Sequence, residues 1–153
     1  MKRKLLTVCL FRKDGEVLLG MKKRGFGMGR WNGFGGKVEV GETIEEAAMR
    51  EVLEEISVSV SEIEKFAEIL FSFEGKEEVL DVHFFSALKW TGEPKESEEM
   101  KPKWFPVDKI PYKKMWSDDE YWFPLFLAGK KFKGKFHFDT RDKVLEYELN
   151  EEK

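Results

Sequence analysis

An α/β architecture, a mixed β-sheet sandwiched with helices, is what this 153-residue chain predicts, and three observations carry it. Segments of strand-forming composition open and close the chain. Between them lies one well-capped helix that follows a run of glycines. A hydrophobic content of 41% is enough for one ordinary core, so residues 1–153 are expected to form a single domain without linker or repeat.

In chain order, Lys4–Arg12 has the β-branched and aromatic content of a strand, Asp14-Gly15 is a hairpin turn signal, and Val17–Met21 returns as the second strand. The glycine-rich stretch Gly25–Gly36 reads as a loop that turns sharply or approaches something closely. It ends in no Gly-Lys-Ser/Thr, so it is not a P-loop. Thr43 and Glu46 stand in the relation of a capping box, so a helix starts there and runs to Ser57, where a left-handed C-terminal residue is expected. Phe66–Phe73 and Val79–Lys89 read as an antiparallel pair around the turn Glu74-Gly75-Lys76. Gly92–Lys101 reads as a polar loop carrying Glu96, Glu98 and Glu99, and Trp104–Val107 as a short strand. Asp118–Ala128 is a second helix with Ser117 as its N-cap, although Pro124 interrupts it. Lys131–Phe138 and Val144–Leu149 alternate apolar and polar residues as a closing hairpin.

The capped helix holds the chemistry. At about 100° per residue, Ile44, Ala47, Ala48, Glu51, Glu54 and Glu55 share one stripe. A Glu-rich helix is ordinarily a solvated face, but these acids continue the apolar stripe instead of opposing it. Met49, Val52, Leu53 and Ile56 form a second apolar stripe, which predicts a helix packed between two surfaces. Carboxylates at i, i+3 and i+4 repel one another unless a cation neutralises them, and all-oxygen ligands suit Mg²⁺ or Mn²⁺.

A net charge of −3 gives no general attraction to a nucleic-acid backbone, so no polymeric partner is expected. Basic runs such as Lys22-Lys23-Arg24 and Lys130-Lys131 read most simply as solvated surface. One cysteine, Cys9, excludes an internal disulfide and, set in an apolar run, reads as a small buried hydrophobe in a reducing compartment. No segment is long enough to span a membrane, and the N-terminal apolar run lacks a cleavage site, so a cytoplasmic protein is expected. Aromatic residues make up 14% of the chain, enough to build both a core and the walls of a purine pocket.

Gly36, Glu42, Arg50, Glu51, Val52, Glu54, Glu55 and Val58 match the spacing G-x5-E-x7-R-E-U-x-E-E-x-G-U of the Nudix box, where U is a bulky aliphatic residue. Only Ser57 departs, standing where the box has Gly. The chain thus resembles the Nudix hydrolases, whose fold is the sandwich already expected. Within that family it is most similar to the enzymes that hydrolyse oxidised purine nucleoside triphosphates. Leu18–Gly27, Gly29–Val38, Asp81-Val82-His83, Met115-Trp116 with Asp118-Asp119, and Tyr121–Leu125 carry that likeness.

The resemblance implies a Mg²⁺ site (Mn²⁺ as a substitute) at Glu51, Glu54, Glu55 and the Gly35 carbonyl, with Glu99 as a further acid. It implies a base pocket of Asn32, Trp116, Asp118 and Asp119, lined also by Thr7, Lys22, Phe26, Phe71, Phe73 and Leu80. Leu80 replaces a Met of those enzymes, and Met28 is a second departure. Glu55 or Glu99 would orient or deprotonate the attacking water, and Arg50 would hold the glutamates in place. Asp118 and Asp119, taken alone, are ordinary acids of a helix first turn. Beside Trp116 they read better as a carboxyl pair in an apolar pocket, one member staying protonated so that the pair can read more than one purine edge. His83 reads as structural.

The implied reaction is Mg²⁺-dependent hydrolysis of 8-oxo-dGTP, 2-oxo-dATP or O6-methyl-dGTP to the monophosphate and pyrophosphate, by a monomer acting on a small-molecule substrate. Two rivals remain at this level. One is a Nudix hydrolase of unmodified nucleotides, dinucleotides or capped RNA. The other is a silent binding module, which should have lost acids that this chain keeps.

Overall fold

The computed structural model describes residues 2–152; Met1 and Lys153, the ends of the expected domain, lie outside the described residues. The elements are β1 (Arg3–Lys13), β2 (Glu16–Lys22), β3 (Trp31–Asn32), α1 (Ile44–Ile56), β4 (Ser59–Phe73), β5 (Val79–Thr91), β6 (Met100–Pro106), α2 (Asp119–Leu127), β7 (Lys131–Phe138) and β8 (Val144–Glu152). A single 3₁₀ turn, Tyr112–Lys114, precedes α2.

Strand order is β3-β2-β1-β5-β4-β7-β8, with β6 on β2, and the sheet is mixed. β1 is its hinge. Residues Arg3–Leu10 of β1 pair in parallel with Val79–Ser86, whereas Phe11–Lys13 pair antiparallel with β2. Once the strand has left β2, its free edge is taken by the chain after β3. Cys9 faces Phe34 and Leu6 faces Lys37 in isolated bridges, and Thr7 N–H donates to the Gly36 carbonyl at 2.9 Å. This stitches the last glycines of the loop to the middle of the sheet.

α1 and α2 cover opposite faces. Ala48, Val52 and Ile56 of α1 pack on Cys9, Phe11, Phe34 and Phe85. Trp122, Phe123 and Phe126 of α2 pack with Leu10, Ile69, Phe84, Phe132 and Phe136. Much of the aromatic surplus sits there: the Phe66 ring lies 4.7 to 6.3 Å from those of Phe84, Trp122, Phe126 and Phe132. Each such buried ring contributes roughly 2–3 kcal/mol of transfer free energy.

The local signals behave as read. Asp14 (φ 53°) and Gly15 (φ 75°) both take positive φ, as a tight hairpin turn requires. The capping box closes in both directions: Glu46 N–H donates to Thr43 Oγ1 at 3.0 Å and Thr43 N–H to Glu46 Oε1 at 2.8 Å. Ser57 ends α1 in the left-handed region at φ 59°. Cys9 is fully buried and desolvation pushes its thiol up to about 12, so it is no nucleophile.

Six expectations need correction. β4 starts at Ser59, not Phe66, because register shifts between Val60 and Ala67 break the period-two pattern that marks a strand. β6 spans Met100–Pro106, not Trp104–Val107. Its Pro102 sits opposite Gly20 on a strand paired only with β2, where a missing N–H is tolerated. Trp31–Asn32 forms a strand inside the glycine stretch. Ser117 is not the N-cap of α2; Asp118 is, and the Ser117 hydroxyl donates to the Asp142 carbonyl at 2.8 Å instead. The closing strand β8 runs to Glu152, beyond Leu149. Finally, α1 is covered on one side only, since Leu53 is 53% exposed.

Candidate active site

A cavity of about 200 Å³ opens between the glycine stretch, the face of β4 and β5 that α2 covers, and the start of α2. All ten residues expected to bind substrate line it: Thr7, Lys22, Phe26, Asn32, Phe71, Phe73, Leu80, Trp116, Asp118 and Asp119. Gly35 and Glu55 line it as well. Glu51, Glu54 and Glu99 do not.

At one end lies the acidic face of α1. The last turn of the helix points Glu55 under the glycine stretch, where it is only 3% exposed and accepts from Gly35 N–H at 3.0 Å. Burial, and after it the Glu51 charge, push the Glu55 carboxyl up to about 8, against the opposing pull of Lys22. Glu51 is half-buried and its pKa is also raised, chiefly by burial, although Arg50 pulls it back. Its carboxylate lies against Gly36, where an added Cβ would come within 2.7 Å of it. Gly35 is tighter still: a Cβ there would meet the Thr7 carbonyl. These two glycines are needed for close approach, which lets backbone and carboxylates share one small volume.

Arg50 orders the acids. Its Nε donates to Glu42 Oε2 at 2.7 Å and its Nη2 to Glu42 Oε1 at 2.9 Å. Nη1 donates to Glu51 Oε1 at 2.9 Å and reaches both oxygens of Glu54 at 3.3 Å, while Nη2 also holds the Lys37 carbonyl at 3.0 Å. Glu54 is exposed. Glu99 is paired with Arg24 Nη2 at 3.1 Å, and its charge adds to the upward shift of both Glu51 and Glu55. No three of Glu51, Glu54, Glu55 and Glu99 bring oxygens within 4.8 Å of one another; among the described residues only Glu68, Asp81 and His83 form such a group. The expected ligands are therefore neighbours around one rim, each tied to a protein partner. Their chemistry fits a hard divalent cation nonetheless. The donors are all oxygen, two of the carboxyls are raised by crowding and burial, and the Gly36 backbone is pressed against one of them.

At the other end sit Asp118 and Asp119, each 3% exposed. Trp122 Nε1 donates to Asp118 Oδ2 at 2.7 Å, while Asp119 Oδ2 is buried without a hydrogen-bond partner. Burial pushes Asp118 up to about 6. Burial, then the adjacent Asp118 charge, raises Asp119 well above the usual carboxylate range. Both shifts favour a pair that keeps a proton, one carboxyl as donor beside the other as acceptor. Asn32 Oδ1 accepts from Gly33 N–H at 2.8 Å, which fixes the amide beside the pair. The cavity wall is aromatic: Phe26 lies 5.0 Å from Trp116 and 6.3 Å from Phe73.

Sequence reasoning missed Arg30 and Phe138, which also line the cavity. The Arg30 guanidinium stands 4.1 Å over the Trp116 ring and its Nη2 pairs with Asp142 Oδ2 at 3.1 Å. Nothing local marks Arg30, because its partner is 112 residues away.

The NUDIX domain family model matches residues 1–126. The chain is 55% identical over 148 residues to the oxidized purine nucleoside triphosphate hydrolase of Danio rerio, covering 97% of this chain and 95% of that protein. It matches the protein of the same name from Mus musculus at the same identity and coverage. A crystal structure of a MutT protein from Bacillus halodurans superposes with a TM-score of 0.86 at 30% identity, over 96% of this chain and 97% of that one.

Proposed function

The chain belongs to the Nudix hydrolases, and from that membership we propose that it converts oxidised purine nucleoside triphosphates to the monophosphate and pyrophosphate, sanitising the nucleotide pool. The single observation that carries the substrate is the carboxyl pair Asp118–Asp119. It is buried, its two carboxyls are both raised by burial, and it lines the cavity together with Trp116.

The purine lies among Phe26, Phe73 and Trp116, with Asn32 and the aspartate pair on its polar edge. A protonated Asp119 donates and an ionised Asp118 accepts. The proton can reside on either carboxyl, so the pair serves 8-oxoguanine and 2-oxoadenine alike. The triphosphate then runs past Lys22 to Gly35 and the α1 carboxylates. Nudix hydrolases generally use a divalent metal. Here Glu51, Glu54, Glu55 and the Gly35 carbonyl would hold Mg²⁺, or Mn²⁺ in its place, with Glu99 as a further ligand. When bound, the ion supplies charge neutralisation of the phosphate oxygens and acidifies water. Glu55 or Glu99 orients the attacking water and takes its proton. Arg50 positions Glu51 and Glu54 without touching substrate.

No helix among the described residues is long and apolar enough to cross a membrane. The reading includes a monomer of one domain working in the cytoplasm. Its test is kcat/KM with Mg²⁺ for 8-oxo-dGTP, 2-oxo-dATP, O6-methyl-dGTP and dGTP side by side. Preference for the modified bases is expected. Equal turnover of dGTP would void the base pocket while leaving the metal site standing.

A further inference from the structure

Behind the nucleotide cavity, on the other face of the same two strands, lies a second group of ligand-type side chains that the hydrolysis does not use. Asp81 and His83 alternate along β5 with Leu80 and Val82, which line the cavity, so they point the opposite way. Glu68 of β4 is the direct cross-strand partner of His83. Asp81 and His83 are each 6% exposed, and Asp81 Oδ1 and both ring nitrogens of His83 are buried without a hydrogen-bond partner.

The geometry points to a transition-metal site, of the kind that takes Zn²⁺, with His83 Nε2, Asp81 Oδ1 and Glu68 Oε2 as its three protein ligands. His83 Nε2 lies 3.3 Å from Asp81 Oδ1 and 3.6 Å from Glu68 Oε2, and one ligand atom from each residue falls within 4.8 Å of the others. For metal–ligand bonds of about 2.0–2.2 Å, the edges of a coordination tetrahedron are about 3.3–3.6 Å long. Both measured separations are edges of that kind. A hydrogen-bonded strut is the competing account. A proton shared between Glu68 and Asp81 would supply one link of it, but would still leave both imidazole nitrogens of His83 buried without a partner.

An imidazole with two carboxylates favours Zn²⁺ over Mg²⁺, which prefers near-octahedral oxygen. Glu68 is set for the role: Lys65 Nζ holds its Oε1 at 3.3 Å, which leaves Oε2 turned to His83. Glu68 also lines a shallow groove with Leu70, Lys133 and Lys135, which supplies an entry path and a place for a water as fourth ligand. A bound ion would tie β4 to β5 just behind Phe71 and Leu80, and so stiffen the wall of the nucleotide cavity.

The test uses the full chain saturated with Mg²⁺ and titrated with Co²⁺ alone, followed by visible absorption. One equivalent of Co²⁺ is expected to develop the strong bands of a four- or five-coordinate ion, and added Zn²⁺ to remove them. Glu68→Gln, at the half-exposed rim, is expected to weaken Co²⁺ binding by about tenfold or more while Mg²⁺-dependent hydrolysis is unchanged. His83→Gln should abolish the bands. Only the weak absorption of six-coordinate, all-oxygen Co²⁺ would overturn the assignment. So would bands that survive Glu68→Gln unaltered, which also covers the case in which His83→Gln fails to fold.

Discussion

The Arg50 guanidinium grips Glu42 through two parallel hydrogen bonds, Nε to Oε2 at 2.7 Å and Nη2 to Oε1 at 2.9 Å. The same group reaches Glu51 and Glu54 with its remaining nitrogen, so one planar fork fixes three carboxylates. Hydrogen bonding from Arg50 holds the Glu42 carboxyl down at about 2, so the grip persists into acid. Lysine has the charge but not the fork. Arg50→Lys is therefore expected to lower kcat and raise the Mg²⁺ concentration needed, by about 10–100-fold in kcat/KM, with little change in nucleotide KM. A variant whose KM alone moved would put Arg50 on the substrate, against the positioning role.

Asp118 and Asp119 make a signed prediction about stability. Both folded-state pKa values are raised above the ordinary 3.8, Asp118 to about 6 and Asp119 further. Below the unfolded pKa both states are protonated and the pair costs nothing. As pH climbs through 4 to 6 and beyond, the unfolded chain gives up protons that the folded pair retains, so stability falls. Asp119→Asn removes the member whose proton is held longest. The Tm difference between Asp119→Asn and the native chain should thus grow in the variant's favour from pH 5 to pH 8. A difference that stays flat would mean that the pair is not raised.

Arg30 over Trp116, at 4.1 Å and anchored by Asp142, braces the aromatic wall of the cavity. A cation–π contact of this kind contributes about 0.5–2 kcal/mol. Arg30→Ala should raise KM for the modified nucleotide by about 2–30-fold with kcat nearly unchanged. Asp142→Asn, which removes only the anchor, should shift KM the same way by less. Steady-state kinetics on both variants checks the order.

Arg50 and Arg30 also show what could be read in the chain and what could not. The Arg50 cluster spans only residues 37 to 54; helical periodicity plus a capping box place Arg50, Glu51 and Glu54 on one side of α1, and Lys37 and Glu42 lie in the segment just before it. Cavity-lining residues came from resemblance, and the fold brings all of them to one cavity. Arg30 with Asp142 joins two loops 112 residues apart, and Glu68 with Asp81 and His83 joins two strands through their register; no local pattern encodes either partnership. β4 was read short for a related reason: bulges between Val60 and Ala67 erase the alternation on which strand recognition depends. Leu53 misled in the opposite direction, since an apolar residue at helical spacing carries no mark of being left in solvent.

Ser57 holds φ 59° at the end of α1, where the family pattern has glycine. A left-handed L-residue costs about 1–2 kcal/mol, and glycine's greater unfolded-state freedom returns part of that on substitution. Ser57→Gly is expected to stabilise by about 0.5–1 kcal/mol and to raise Tm by a few degrees, with kcat/KM unchanged. Chemical denaturation would read it as a shift in midpoint at constant slope. A destabilised variant would show that Ser57 makes a contact worth more than its backbone strain.

Glu55 is the sharpest case, because stability and activity should move in opposite directions. It is 3% exposed, its carboxyl is pushed up to about 8 by burial and by Glu51, and its one hydrogen bond is from Gly35 N–H. A folded pKa raised above the unfolded one means that stability is complete below the unfolded value and declines as pH rises toward 8. Glutamine keeps the shape and the acceptor for Gly35 but never ionises. Glu55→Gln should then gain Tm relative to the native chain at pH 8 and lose that advantage at pH 4. Its turnover should fall by at least about 10²–10⁴-fold, the usual contribution of a positioned base. Saturating Mg²⁺ should not rescue it. Near-native rates at high Mg²⁺ would reduce Glu55 to a replaceable ligand and leave Glu99 as the residue that handles the proton.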